Sequence, residues 1–235
     1  MKRLLISFFC LIGVIISLSV NASIQLRSIY FNMDSPIITE FISNSSSETP
    51  IFVKAEVYKL RFDPDQEQFV EVELDDEREL MLTPNKFVIQ PRKTIPFKLI
   101  GKMTDQFERY RVRFRAISPN DAMESFEESD LNGIDLPEKT TASAELLISY
   151  GSVVYKNPIR KNFDTKINKK NGKIEIRNDG NSVVLLTRIK ACKNNEEQSC
   201  EFLPDYFVVP GQSSSIAGDR VTFDVVENGK STHFN

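Results

Sequence analysis

The sequence predicts an all-β fold, either a sandwich or a barrel. Short runs rich in β-branched and aromatic residues recur along the chain, and clusters of Gly, Pro, Asn, Asp and Ser separate them. Many short strands at this spacing are typical of sandwiches and barrels. No segment keeps an apolar period of 3.6 residues for long enough to predict a helix.

Residues 1–22 have the layout of a secretory signal peptide. Met1-Lys2-Arg3 is a short basic start, residues 4–20 form an apolar run, and Val20-Asn21-Ala22 provides a cleavage site. The alternative is an uncleaved anchor, because the run approaches the length that spans a bilayer. We favour the signal peptide, since the apolar run ends in small residues and lies at the extreme N-terminus, and therefore expect an exported protein.

The charge balance points away from nucleic acid. The chain has 30 basic and 33 acidic residues, and loss of Lys2 and Arg3 with the signal would change the net charge from −3 to −5. A mildly acidic protein lacks the positive surface of a nucleic-acid-binding domain. The length allows one large or two ordinary domains.

The first part of the chain is predicted to hold eight strands. Turn signals such as Asp34-Ser35-Pro36 and Thr83-Pro84-Asn85 separate them. The predicted strands are residues 24–31, 37–43, 51–60, 69–74, 86–89, 94–100, 110–117 and 144–155.

The strand at residues 110–117 alternates most clearly. One face has apolar residues and the other has four arginines, Arg109, Arg111, Arg113 and Arg115. The simpler interpretation is a half-buried strand with a solvated basic face. The functional alternative is that some of these arginines bind a carboxylate or an acidic partner. A long polar loop with an acidic centre, residues 118–141, follows.

The longest extended segment is residues 144–155. It should end at Lys156-Asn157-Pro158, because Pro lacks an N–H donor and restricts its neighbour. Such a strand lies in a core or at an edge, where it offers another chain main-chain hydrogen bonds and side-chain anchors. We predict that it does both. Its nearly apolar face is Ala144, Leu146, Ile148, Tyr150, Ser152 and Val154.

A second, smaller β-rich unit is predicted after Pro158, with the boundary at residues 156–160. This gives domains at residues 23–157 and 158–235. Asn171-Gly172 and Asn228-Gly229 are strong turn signals. The predicted strands are residues 173–177, 183–191, 206–209 and 221–226.

Two cysteines would remain after removal of a signal peptide containing Cys10. In an exported chain, the pair Cys192 and Cys200 predicts a disulfide. Two free thiols are the alternative, and one such pair is too sparse for a metal site.

The residues offer little for catalysis. The single histidine, His233, lies near the end of the sequence, where chains usually fray, so a Ser-His-Asp or Cys-His system has no credible base. Glycine motifs for nucleotide phosphates are absent, and acidic runs such as Asp75-Asp76-Glu77 are typical of solvated turns. We predict a binding protein, not an enzyme, without catalytic residues, cofactor or metal.

Five segments share a likeness to one family. They are residues 80–91, 108–116, 146–158, 176–181 and the Cys192 to Cys200 loop. Together they resemble the periplasmic chaperones of chaperone–usher pilus assembly, above all the alternate branch that serves colonization-factor fimbriae and the common pilus. The likeness covers most of the chain after residue 22. It implies two immunoglobulin-like β-sandwich domains in an L arrangement.

The resemblance also implies a mechanism and partners. Pilus subunits of these systems lack a final strand, and the chaperone lends them an edge strand, here residues 144–155, until an outer-membrane usher exchanges it. An Arg near the first strand and a Lys in the lent strand hold the subunit's C-terminal carboxylate. Arg27 could be that Arg. The expected position of the Lys falls near Ser152, so Lys156 is the nearest substitute, and Arg111 or Arg113 could also serve.

The implied partners are pilus subunits and the usher, without nucleic acid or stable membrane insertion. An exposed apolar edge leaves a self-capping dimer open. The competing hypothesis is a structural pilus subunit or adhesin, and a secreted hydrolase is a third. The chaperone is favoured because the alternating strand lies mid-chain, before a second domain, and not at the start.

Overall fold

The computed structural model describes residues 24–126, 149–170, 172–193 and 199–235. These residues are almost entirely β-strand, which confirms the all-β prediction and its two β-sandwich domains. The predicted signal peptide, residues 1–22, lies outside the described residues. So do Ala144, Leu146 and Ile148 of the predicted binding strand.

The described residues of the first sandwich form ten strands in two sheets. The first sheet has the order β1-β3-β8-β6, and the second has the order β2-β10-β9-β4-β5, with β7 also paired to β4. The strands are β1 (Ile24–Leu26), β2 (Tyr30–Met33), β3 (Ile37–Asn44), β4 (Ile51–Asp63), β5 (Gln68–Val72), β6 (Met81–Thr83), β7 (Lys86–Ile89), β8 (Thr94–Ile100), β9 (Glu108–Ile117) and β10 (Ser149–Lys156).

Inward-facing side chains of both sheets form one core. Phe97 of β8 lies at its centre, with its ring centroid 5.9 Å from that of Phe31 on β2 and 5.1 Å from that of Phe114 on β9. All three rings are buried. Aromatic pairs at these distances stabilise a core beyond their buried area.

The predicted strand at residues 24–31 is two strands in different sheets. β1 pairs antiparallel with β3, whereas β2 pairs parallel with β10. A local turn separates them, in which Ser28 Oγ donates to the Tyr30 carbonyl at 2.7 Å. Side-chain bonds of this kind compete with strand pairing, so the chain crosses from one sheet to the other here.

A short helix occupies the start of the predicted loop at residues 118–141. Helix α1 (Pro119–Ser125) begins at Ser118, whose side chain accepts a hydrogen bond from the Asp121 N–H. It packs Ala122 against Phe52 of β4. A 3₁₀ turn at Glu77–Glu79 precedes β6.

The second sandwich is built from eight strands. The third sheet has the order β11-β12-β16, and the fourth has the order β14-β13-β17-β18, with β15 also paired to β13. The strands are β11 (Thr165–Lys170), β12 (Lys173–Asn178), β13 (Val184–Cys192), β14 (Cys200–Leu203), β15 (Tyr206–Val208), β16 (Ser213–Ala217), β17 (Arg220–Glu227) and β18 (Lys230–Phe234).

Two sequence signals in this sandwich are confirmed. Asn228 and Gly229 both have positive φ and connect β17 to β18, as an Asn-Gly hairpin turn requires. Cys192 and Cys200 form the predicted disulfide, which joins directly opposed residues of β13 and β14.

The proposed domain limits, residues 23–157 and 158–235, and the L arrangement remain predictions. Within the described residues, the strands of the first two sheets do not pair with those of the third and fourth. No helix in the described part of the chain is long and apolar enough to cross a membrane.

Candidate functional site

Strand β10 has two different edges along its length. On one side it pairs antiparallel with β9 over all of Ser149–Lys156. On the other side it pairs with β2 only from Val153 to Lys156. In the described part of the chain, no strand pairs with this second edge along residues 149–152, and we call this stretch the open edge.

Backbone groups of Gly151 point to the open edge. The Val153 N–H donates to the Ile29 carbonyl at 2.9 Å, so it faces β2 and not β9. Because N–H directions alternate along a strand, the Gly151 N–H points to the same side. Beyond Val153, β2 occupies that side. The open edge therefore offers main-chain donors and acceptors to another strand.

The face of β10 that carries Ser152 and Val154 points inward. Ser152 and Val154 are completely buried, and Val154 belongs to the core of the first sandwich. The prediction is that this strand lies both in a core and at an edge, and the place of Ser152 and Val154 in a subunit-binding strand stays a prediction. Tyr150 is half-buried against the same core.

The outward face of the second sheet carries the arginine row of β9. Arg113 forms an ion pair with Glu71 of β5 at 2.7 Å and lies over the Tyr58 ring. Arg115 pairs with Glu56 at 3.4 Å. Arg109 stacks on Phe69, with its guanidinium carbon 3.4 Å from the ring centroid. Desolvation lowers the pKa of Arg109, against an opposing effect of Tyr155.

Lys156 is buried in the first sandwich. Its side chain is 1% exposed, and its Nζ lies 2.5 Å from Glu108 Oε2. The same ammonium donates to the Tyr110 hydroxyl at 3.1 Å and to the Lys102 carbonyl at 3.1 Å. Its ammonium thus contacts groups of its own domain, and its predicted role as a carboxylate anchor stays a prediction.

The Lys156 network predicts a specific loss of stability in acid. Burial raises the pKa of Glu108, but hydrogen bonds from Lys156 and Lys59 outweigh it, so the pKa lies below 4.5. A lowered carboxyl pKa stabilises the fold above the unfolded-state pKa, and this stabilisation is lost as pH falls through the folded-state pKa. Glu108→Gln should therefore lower the melting temperature near neutral pH, with a difference that closes as pH falls through the lowered folded-state pKa of Glu108.

Glu40→Gln is the control for this titration, because burial raises the pKa of Glu40 despite the nearby charge of Arg27. A carboxyl group with a raised folded-state pKa destabilises the fold when it ionises, which is the opposite of the effect of Glu108. Glu40→Gln should therefore gain stability relative to the wild type as pH rises. Melting curves across the acid range measure both. A pH-independent deficit for Glu108→Gln would contradict the account.

Arg27 lies in the exposed segment that joins β1 to β2, close enough to Glu40 to affect its carboxyl. Ile29, two residues later, is 58% exposed beside the open edge. The Arg27 side chain is exposed to solvent. Its predicted role as a carboxylate anchor stays a prediction.

The end of β10 also contacts the second sandwich. Asn157 Nδ2 donates to Asn32 and Asp34, at 2.8 Å each, and its Oδ1 accepts from the Val183 N–H at 2.9 Å. Tyr155 stacks on Tyr30 and contacts Phe207 of β15. A buried amide and an aromatic cluster thus connect the end of β10 to both sandwiches.

The only histidine is ordered and not frayed. His233 lies on β18, and its Nδ1 is 2.7 Å from Asp224, a buried carboxylate that also pairs with Arg188. Ser231 Oγ donates to the same carboxylate, not to the imidazole. Arg188, Ser231 and His233 thus all contact Asp224. Ser231 and His233 do not form a nucleophile–base pair. Among the described residues, no group of three His, Cys, Asp or Glu could hold a metal ion.

Comparisons with known proteins identify the fold. No protein-family model matches the chain, and no curated protein sequence matches it. The solved structure of the class 5 fimbriae chaperone CfaA matches at 18% identity and a TM-score of 0.52, covering 90% of this chain and 97% of CfaA. The periplasmic chaperone SfaE matches at 12% identity and a TM-score of 0.51, covering 90% and 97%.

A third similar structure comes from a complex of a Salmonella enterica pilin, SafA, with the SafB chaperone. It matches at 14% identity and a TM-score of 0.50, covering 90% of this chain and 95% of that chain. At these identities the likeness concerns the fold, and it extends over nearly the full length of each neighbour. The chain has the two-domain β-sandwich fold of the fimbrial chaperones.

Proposed function

We propose that this protein is a periplasmic chaperone of fimbrial assembly, which caps subunits by lending them an edge strand and delivers them to an outer-membrane usher. The observation that carries the proposal is the open edge of β10. β10 pairs with β9 along its whole length, while the Gly151 N–H points to the opposite side of β10, towards the open edge.

Main-chain pairing at such an edge gives affinity, and alternating side chains that fill the partner's pockets give specificity. The described part of β10 supplies the pairing edge, with Tyr150 half-buried beside it. Leu146 and Ile148, which precede it, are the apolar anchors in the proposal. Burial of each large apolar side chain contributes about 1.5–3 kcal/mol.

The fold neighbours support the same partner class. One similar structure is of a chaperone–tip adhesin complex in fimbriae biogenesis, and another is the SafA pilin with its chaperone. We infer that fimbrial subunits are the clients of this chain too. Co-expression in the periplasm with a subunit from the same gene cluster tests this. The subunit should accumulate as a soluble one-to-one complex, and equal degradation with and without this chain would contradict the proposal.

Arg27 provides a second test of the proposed function. Arg27→Ala should weaken subunit capture by about tenfold, the loss of one charge-assisted contact. It should leave the melting temperature almost unchanged, because Arg27 is exposed in the free protein. Arg78→Ala is the control, since Arg78 is also exposed and pairs only locally with Asp76. A large fall in melting temperature for Arg27→Ala would mark the residue as structural.

A further inference from the structure

The disulfide of the second sandwich lies beside a guanidinium group. We propose that Cys192–Cys200 is a reactive disulfide that exchanges with dithiols reaching it from solvent, and that Arg220 promotes this exchange. The proposal concerns the end of β13 and is independent of strand donation at the open edge. Its substrate class is the thiol group, and its products are a mixed disulfide and then the reduced cysteine pair.

Three strands of the fourth sheet bring these side chains together. Cys192 of β13 is opposite Cys200 of β14 on one side and opposite Arg220 of β17 on the other. Directly opposed residues of antiparallel strands have their side chains on the same face of the sheet. Arg220 Nη2 lies 3.9 Å from Cys192 Sγ and 4.0 Å from Cys200 Sγ. One cation therefore contacts both sulfur atoms.

No carboxylate in the described ranges neutralises this cation, because the ion pairs of the second sandwich there involve other basic residues. Asp219, which precedes Arg220, has its Oδ1 3.7 Å from the position of a Cβ atom on Gly172. A second cation, Lys190, lies two residues before Cys192, with its Nζ 5.8 Å from the centroid of the Phe202 ring. The described surroundings of the two sulfur atoms are therefore positive, which favours a thiolate.

The two sulfur atoms differ in their access to solvent. Cys192 is 2% exposed, whereas Cys200, on the edge strand β14, is partly exposed. An incoming thiolate should therefore attack Cys200 Sγ. A bond forms to this atom, the S–S bond breaks, and its electron pair leaves on Cys192 Sγ, beside the Arg220 guanidinium. Exchange is faster when a nearby cation stabilises the leaving thiolate.

A second thiolate completes the exchange when the attacking molecule is a dithiol. The other sulfur of that molecule attacks its own partner sulfur in the mixed disulfide, and Cys200 leaves as a thiolate. The dithiol is oxidised to a disulfide, and the Cys192–Cys200 disulfide is reduced to two thiols. The two electrons and two protons of the dithiol thus end on Cys192 and Cys200.

Reduction by dithiothreitol under native conditions tests the role of Arg220. Rates are measured for the wild type, Arg220→Gln and Arg220→Lys. Arg220→Gln should slow reduction by about tenfold, because the leaving thiolate loses its cation. Arg220→Lys should keep most of the rate, because it keeps the charge. A merely structural role for Arg220 predicts the opposite sign, since looser packing in Arg220→Gln would expose the disulfide and speed its reduction.

Lys230→Gln is the matched control, because it removes one exposed positive charge from the same sheet. Lys230 is opposite Glu227, the last residue of β17, whereas Arg220 is the first, so the two cations are roughly 23 Å apart along the strand. The control should keep the wild-type rate within about twofold, because salt screens exposed charges at this distance. Equal rates for Arg220→Gln and Lys230→Gln, or a wild-type disulfide that is reduced only in denaturant, would overturn the proposal.

Glutathione identifies the sulfur atom that is attacked. Because it has a single thiol, the mixed disulfide can be trapped by acid, and the released protein thiol is then alkylated. Mass spectrometry of the peptides should find glutathione on Cys200 and the alkyl group on Cys192. The reverse pattern would contradict attack at the exposed sulfur with departure of the thiolate beside Arg220.

Discussion

Replacing both Leu146 and Ile148 by Asp will abolish subunit protection while leaving this protein folded and exported. In the proposed complex these side chains fill apolar pockets of the subunit. Their loss removes about 3–6 kcal/mol of burial, and each carboxylate adds a desolvation cost. We therefore expect affinity to fall by more than about a hundredfold. The measurement is the steady-state amount of co-expressed subunit in periplasmic extracts.

The matched control for this experiment is Glu145→Gln with Ser149→Asp, which changes the opposite face of the same segment. The control should retain most of the subunit, because alternate residues of a strand face opposite sides. Melting temperatures of both variants should stay near that of the wild type. Unchanged subunit levels with Leu146→Asp and Ile148→Asp would contradict strand donation by this segment.

Lys156→Met will have the largest effect on stability. It leaves the Glu108 carboxylate without the ammonium 2.5 Å away, in a network that also includes Lys59 and Glu79. Removal of one partner from a buried pair costs about 3–5 kcal/mol. For a chain of this size the melting temperature should fall by roughly 10 °C. Thermal unfolding measures this change.

Lys98→Met is the control, because Lys98 is exposed on β8 and should change stability by less than about 0.5 kcal/mol. The double variant Lys156→Met with Glu108→Leu should recover part of the loss, since no charge is then left unpaired. Equal melting temperatures for Lys156→Met and Lys98→Met would show that the buried network does not stabilise the fold.

Much of the fold could be predicted from local patterns. The limits of β7 and β8 match the prediction residue for residue, because turn signals bound both strands. β16 was missed, since its Ser-Ser-Ser-Ile-Ala sequence has no apolar alternation and is a strand only because it pairs with β12. Helix α1 was also missed, although Ser118 followed by Pro119 and Asp121 is a helix-start signal.

The site was harder to predict, because burial depends on partners distant in sequence. As a lysine, Lys156 is expected on the surface, yet it shares the inward face of Ser152 and Val154. The alternation of β10 therefore indicates from the sequence that Lys156 points inward. Its partner Glu108, directly opposite on β9, could not be identified without the strand register.

Hydrogen exchange of the Gly151 amide tests the central claim most directly. This N–H faces the open edge in the free protein, whereas the Val153 N–H is already bonded to Ile29. Addition of a fimbrial subunit should slow exchange at Gly151 by at least about a hundredfold, as expected for an amide that gains a strand partner. Val153 should change little. An equally fast Gly151 amide in the complex, or one already protected in the free protein, would contradict strand donation at this edge.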